Sequence, residues 1–263
     1  MTNNKFPMTI FQLRLGSLVA AFPLCALLAK ASNPPAVSAA QSPSAPAVLR
    51  DCVILIHGLG RTPLSMMRLE WTLKRAGYDV VNLRYPSRRF TVKQLADEYL
   101  DKAVAAHGQA GRIHFITHSL GGIVLRDYLA RQEMTNLGRA VMLAPPNHGS
   151  ELADRLKQSA LGRWILGPAG CQLGTGPQGL SDQLGPARFP LGVIAADSAF
   201  YRRFSRLFPG PNDGKVSVQS ARLDGMADFL EVPGGHTWIM WRGDVALQIL
   251  AFLEQGHFAR PAN

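Results

Sequence analysis

Ser119 closes an apolar run, Phe115-Ile116-Thr117-His118-Ser119, and Leu120-Gly121-Gly122 follow it. A strand that must reverse into a helix within a few residues leaves the turning side chain exposed at its tip. It also needs small residues two places before and two places after that side chain. Gly121 meets the second need. Thr117, with its β-branch, meets the first poorly, so this turn requires extra room beside it. A serine presented in this way becomes a nucleophile if a base takes its proton. The competing reading is a serine that only caps the next helix.

The base must come from seven histidines. In a strand–turn–helix arrangement of this kind the order along the chain is serine, acid, histidine. His236, in Pro233-Gly234-Gly235-His236, lies between the last predicted strand and the last predicted helix, and two glycines let its loop fold over the serine. His257 lies beyond the last helix, and His118 is expected to point to the other face of the turn. The orienting acid should fall between Ser119 and His236. Asp213, in the Asn212-Asp213-Gly214 turn, is preferred, and Asp197, at the tip of Gly192-Val193-Ile194-Ala195-Ala196-Asp197, is its rival.

An acyl-transfer site also needs donors for the oxyanion. The backbone N–H of Leu120 is one, and that of Leu59 in His57-Gly58-Leu59-Gly60-Arg61 is the other, with His57 and Gly58 shaping the turn. A glycine-rich loop after a strand also fits phosphate binding. The chain has neither Gly-x4-Gly-Lys-Ser/Thr nor Gly-x-Gly-x2-Gly, so no nucleotide cofactor is expected. No metal-ligand spacing stands out, and no metal is expected.

These residues must be positioned by a scaffold. β-branched runs at 52–58, 78–86, 112–119, 139–146, 189–197 and 228–235 read as six strands. Helical periodicity marks 65–77, 91–108, 120–133 and 243–256, the second opened by Thr91 and Gln94 at capping-box spacing. The alternation predicts an α/β fold with a mostly parallel sheet and helices on both faces. Residues 147–188 interrupt it with a helix over 151–167 and a glycine-rich stretch, and read as a short cap-like insertion.

Length and charge bound the rest. The 263 residues are 47% hydrophobic and carry a formal charge of +10. A basic surface favours anionic partners, but no zinc-finger spacing, RNA-binding signature or basic helix points to nucleic acid. Residues 1–31 have Lys5 and Arg14 before an apolar stretch and end Ala29-Lys30-Ala31, so they read as a signal peptide or an N-terminal membrane anchor. Residues 32–50 form a Pro/Ser/Ala linker, and the folded domain is expected over 51–258. Export to the periplasm or medium follows from this reading. Cys52 and Cys171 then meet an oxidising compartment, and spacing alone leaves open whether they pair.

Together, His57-Gly58, Thr117-His118-Ser119-Leu120-Gly121, Asn212-Asp213-Gly214 and Gly235-His236 resemble the α/β-hydrolase superfamily, in order, over about residues 50–256. Within it the chain is similar to small bacterial serine lipases and esterases. Pro145-Pro146-Asn147-His148-Gly149-Ser150 is similar to a lipase segment, which would put His148 in the loop leading to the lid or acyl-binding region. The resemblance implies cofactor-free hydrolysis of a small-molecule or lipid ester through an acyl-enzyme. An acyltransferase or amidase with the same three residues, and a non-catalytic binding protein of the same fold, are the alternatives. Membrane-surface association and oligomeric state stay open.

Overall fold

A computed structural model describes residues 49–198, 200, 208 and 210–260. The expected signal or anchor and nearly all of the linker lie outside the described residues.

The strands are β1 (Cys52–Ile56), β2 (Asp79–Asn82), β3 (Ile113–His118), β4 (Leu137–Leu143), β5 (Leu191–Asp197) and β6 (Asp228–Pro233). They form one sheet in the order β2-β1-β3-β4-β5-β6, with every neighbouring pair parallel. β1, β2, β3, β4 and β6 end before their apolar runs do, where the chain lifts towards the next helix, while β5 starts two residues late, after Pro190.

Alternation along the strands divides the core. Cys52, Ile54 and Ile56 pack with Phe115, Ile123 and Val124 on one face. Val53 and Leu55 pack with Ile116, Val141 and Phe252 on the other. Both faces are covered, which is why these strands read as continuous apolar runs.

The helices that matter for the site are α1 (Met67–Arg75), α2 (residues 92–106), α3 (Leu120–Arg131), α4 (Glu151–Leu156), α5 (Ala160–Cys171), α6 (Leu180–Gln183), α7 (Val218–Ala221) and α8 (Gly243–Gln255). Thr91 and Gln94 form the expected reciprocal cap of α2, which widens into one π-helical turn at Ala96–Leu100. The single helix expected over 151–167 is instead two. Ser159 accepts from Gly162 N and starts a new helix, and the chain doubles back so closely that a Cβ on Gly162 would meet Leu156 O at 1.8 Å.

The strand order reverses at β1. The chain runs outward from β1 to β2, then crosses back to β3 and continues the other way. Loops leaving the carboxyl ends of β1 and β3 part there and leave a crevice, where open parallel sheets bind ligands.

Candidate active site

Ser119 occupies that crevice, one residue past β3, with φ 52° and ψ −122°. A non-glycine residue pays a steric cost at such a φ, and it is held there by packing and hydrogen bonds. Ser119 N donates to Leu143 O at 2.9 Å and Gly122 N donates to Ser119 O at 2.9 Å. Gly121 lets the turn close, since a Cβ there would meet Ile56 O at 2.4 Å. Ser119 precedes α3, yet its side chain caps no backbone N–H. The hydroxyl is left for other work.

That hydroxyl meets His236. The Ser119 Oγ to His236 Nε2 distance is 3.0 Å, and His236 Nδ1 lies 2.7 Å from Asp213 Oδ2. With Nδ1–H donated to the carboxylate, Nε2 is free to accept the serine proton. The other carboxylate oxygen, Oδ1, accepts Lys215 N at 2.9 Å and Val216 N at 2.8 Å. His236 N donates to Asp213 O at 3.1 Å, so the two loops are joined through backbone as well. All three side chains are buried.

Asp197, the rival acid, instead accepts Asn212 N at 3.1 Å and steadies the turn that presents Asp213. His118 also departs from expectation. Its ring does not turn away but packs against His236, with centroids 4.9 Å apart, and its Nε2–H donates to His236 O at 3.0 Å. Burial lowers the His118 pKa well below that of a free imidazole, so it supports the neighbouring loop as a neutral donor.

Leu59 and Gly60 line the same cavity as Ser119. Gly58 packs tightly against the Ser119 turn, because a Cβ there would meet His118 Nδ1 at 2.7 Å and Ser119 Cβ at 3.2 Å. His57 stacks on Tyr85 at 4.2 Å, and the Tyr85 hydroxyl donates to the His57 carbonyl. Gly60 N donates to Ser87 Oγ at 2.9 Å. The loop after β2 therefore braces the loop after β1. Leu120 N belongs to the first turn of α3, whose N–H groups have no intrahelical acceptor.

His148 lies in the expected loop, the one entering α4, but does not line the cavity. It is exposed and pairs through Nδ1 with Asp182 Oδ1 at 2.8 Å. Arg126 does the deeper work of holding this region. Its buried guanidinium donates to Asn147 O, Asn147 Oδ1, Ser181 O and Gly185 O at 2.7–3.2 Å, tying α3 to both ends of the insertion. Cys52 and Cys171 are both free thiols.

The cavity has a volume of about 220 Å³. Leu152, Leu156, Leu166 and Leu173 from the insertion form an apolar wall, while Arg61, Arg88 and Lys215 stand on other sides. Sequence reasoning missed Arg61 and Lys215. Each is one residue beyond a motif glycine, Gly60 and Gly214, but only the folded chain puts them in one mouth. Among the described residues, Cys52, Asp79 and His107 could present three donors to one ion. They lie at the amino ends of β1 and β2, away from Ser119 at the carboxyl end of β3, and burial followed by the charge of Asp79 raises the Cys52 thiol to about 11.

Comparison with known proteins agrees with this fold. No curated protein matches the sequence. Among solved structures, the phospholipase PlaB of Legionella pneumophila superposes with a TM-score of 0.62 at 20% identity, over 79% of this chain and 60% of that one. The chain thus spans about three-fifths of that protein's length. The mature lipase BlEst2 of Bacillus licheniformis gives 0.58 at 22% identity, over 81% of this chain and 93% of that one. A metagenomic carboxyl esterase, MGS0156, gives 0.55 at 21% identity, over 73% and 66%. Residues 53–260 match the alpha/beta hydrolase family. The chain belongs to that family.

Proposed function

We propose that this protein hydrolyses carboxylic esters through a serine acyl-enzyme. The observation that carries the reading is the continuous series Ser119 Oγ–His236 Nε2 at 3.0 Å and His236 Nδ1–Asp213 Oδ2 at 2.7 Å, opening into an apolar-walled cavity.

In this mechanism His236 takes the Ser119 proton as Oγ attacks the ester carbonyl. Asp213 fixes the imidazole tautomer and stabilises the imidazolium. The N–H groups of Leu59 and Leu120 receive the negative charge on the carbonyl oxygen, a contribution of about 3 kcal/mol per donor in comparable sites. His236 then protonates the leaving alcohol. Water, activated by the same histidine, releases the acid and restores Ser119.

The likeness to a phospholipase, a lipase and a carboxyl esterase supports an ester substrate. An apolar cavity of about 150 Å³ is enough to hold benzene, so about 220 Å³ suits a short or medium acyl chain. We read residues 1–31 as directing export, which N-terminal sequencing of the protein from cell fractions tests directly. The activity is tested by labelling with a fluorophosphonate and mapping the peptide. The label is expected on Ser119, and Ser119→Ala should abolish cleavage of short p-nitrophenyl esters while leaving the fold intact. Full activity of Ser119→Ala would overturn the mechanism.

A further inference from the structure

Three cations share the mouth of the cavity that contains Ser119: Arg61, Arg88 and Lys215. Each is held by something other than an acid. Arg61 Nη2 donates to Thr237 Oγ1 at 3.0 Å, beside His236. Arg88 lies over the exposed ring of Trp164 at 5.7 Å. Lys215 follows the Asp213 turn, and its backbone N–H, not its ammonium, bonds that carboxylate. Among the described residues no carboxylate comes within 4.0 Å of any of the three, and no Asp or Glu lines the cavity. The residues outside the description contain no Asp or Glu side chain either. The nearest acid, Asp213, acts on Lys215, but its carboxylate is already taken by His236 and by the N–H groups of Lys215 and Val216. Three cations facing one buried acid in an apolar-walled cleft leave it a net positive potential that concentrates anions there.

The position of the charges indicates which part of a substrate they meet. Burial, and then the charge of Arg61, lowers the Lys215 pKa against the opposing charge of Asp213, so Arg61 and Lys215 feel one another. Both also act on His118, which bonds the carbonyl of His236. Arg61 bonds Thr237, next to His236, and Lys215 N bonds the Asp213 carboxylate that meets His236, so these two lie on the His236 side, where the alcohol leaves. Arg88 faces them from between Gly60 and Trp164. Leu152, Leu156, Leu166 and Leu173 form the acyl side.

Resting on the ester-hydrolase reading above, we infer that the substrate is an acyl ester whose alcohol moiety carries a phosphate, bound by Arg61, Arg88 and Lys215. Such a group occurs both in lipid headgroups and in soluble phosphate esters, and the test separates the two.

The full chain is assayed for butyrate release from monomeric 1-butyryl-glycerol and 1-butyryl-glycerol 3-phosphate. At low salt the ratio of kcat/KM, phosphate over neutral ester, should be about tenfold or more, and should fall towards one as added salt screens the charges. Arg88→Gln and Lys215→Gln should each lower that ratio by about threefold to fivefold, the upper range of an exposed charge pair, while Lys215→Arg should preserve it. The ratio is internally normalised, so a partly destabilised variant still reports. A wild-type ratio near one, with the neutral ester turned over, would overturn the inference and leave the hydrolase reading standing. Cleavage of neither ester would overturn both. A preference seen only with ester embedded in phosphatidylglycerol vesicles, and absent with the monomeric pair, would assign the cations to a membrane surface and overturn the cavity site.

Discussion

Thr117 and Gly122 meet beneath the turn that presents Ser119: a Cβ on Gly122 would stand 3.3 Å from Thr117 Oγ1. The β-branched residue at the tight position is accommodated because the second of two glycines is absent of side chain beside it. The same imaginary Cβ would approach Met142 Sδ at 3.2 Å and Pro145 Cβ at 3.3 Å, so the space is walled on its other sides. Thr117 Oγ1 is buried there without a hydrogen-bond partner. Thr117→Val keeps the shape and removes the stranded hydroxyl. It should leave kcat/KM within about twofold and raise stability by about 1 kcal/mol in urea titration. Gly121→Ala should do the opposite, because its clash is with the fixed backbone of Ile56.

The two acids should separate kinetically. Asp213→Asn keeps the side-chain shape but favours the wrong imidazole tautomer, and kcat should fall by about 10⁴. Asp197→Asn touches the turn that supports Asp213, through Asn212 N, and not His236 itself. Its loss should be at least tenfold smaller in steady-state assays.

Gly58→Ala tests the oxyanion wall. The added methyl has to displace His118 or Ser119. A misplaced site of this kind costs about 10² in rate. The expected signature is a fall in kcat with KM little changed, since the acyl-binding wall lies elsewhere.

Stability should decline on the acid side through buried histidines. Desolvation is the leading cause of the lowered pKa values of His57, His114 and His118. In the unfolded chain each titrates near 6.5, so below that pH the unfolded state binds protons that the folded state does not. Stability is therefore fully present above about 6.5 and is lost as the pH falls, by about 1 kcal/mol per pH unit for each histidine until its folded pKa is reached. Denaturant titrations at pH 7.5, 6.5 and 5.5 measure the slope. His118→Gln should reduce it by one histidine's share.

Arg126 supplies a test of how the insertion is held. Burial lowers its pKa to about 10, yet it stays cationic at neutral pH and satisfies four acceptors. Arg126→Met strands those acceptors and should cost about 3 kcal/mol in urea titration.

Much of the site was legible because local chemistry constrains it. Ser119 needed a strand before it and glycines after it, Asp213 needed a rigid turn, and His236 needed a loop after the last strand. The choice of Asp213 over Asp197 rested on turn chemistry, and in the folded chain Asp213 is the acid that meets His236. The direction of the His118 ring and the partner of His148 were not legible for one reason. The direction of a loop side chain is set by what packs against it, and the partners, the carbonyl of His236 and Asp182, are 118 and 34 residues away in sequence. The break at Ser159 was missed because Ala160-Leu161-Gly162-Arg163 continues the apolar period of the preceding segment, while the decisive contact is the close return past Leu156.

By itself, the sequence determined the alternation of six strands with helices, the parallel sheet, and which serine, acid and histidine stand in the loops that follow strands. Hydrophobic period and turn residues act over a few positions, so one dimension records them. Only the tertiary structure decided the distances within the Ser119–His236–Asp213 series, the space that Gly122 leaves for Thr117, and the meeting of Arg61, Arg88 and Lys215 in one mouth. Those depend on strand order and on loops closing over one crevice, and such long-range contacts leave no local pattern in the chain.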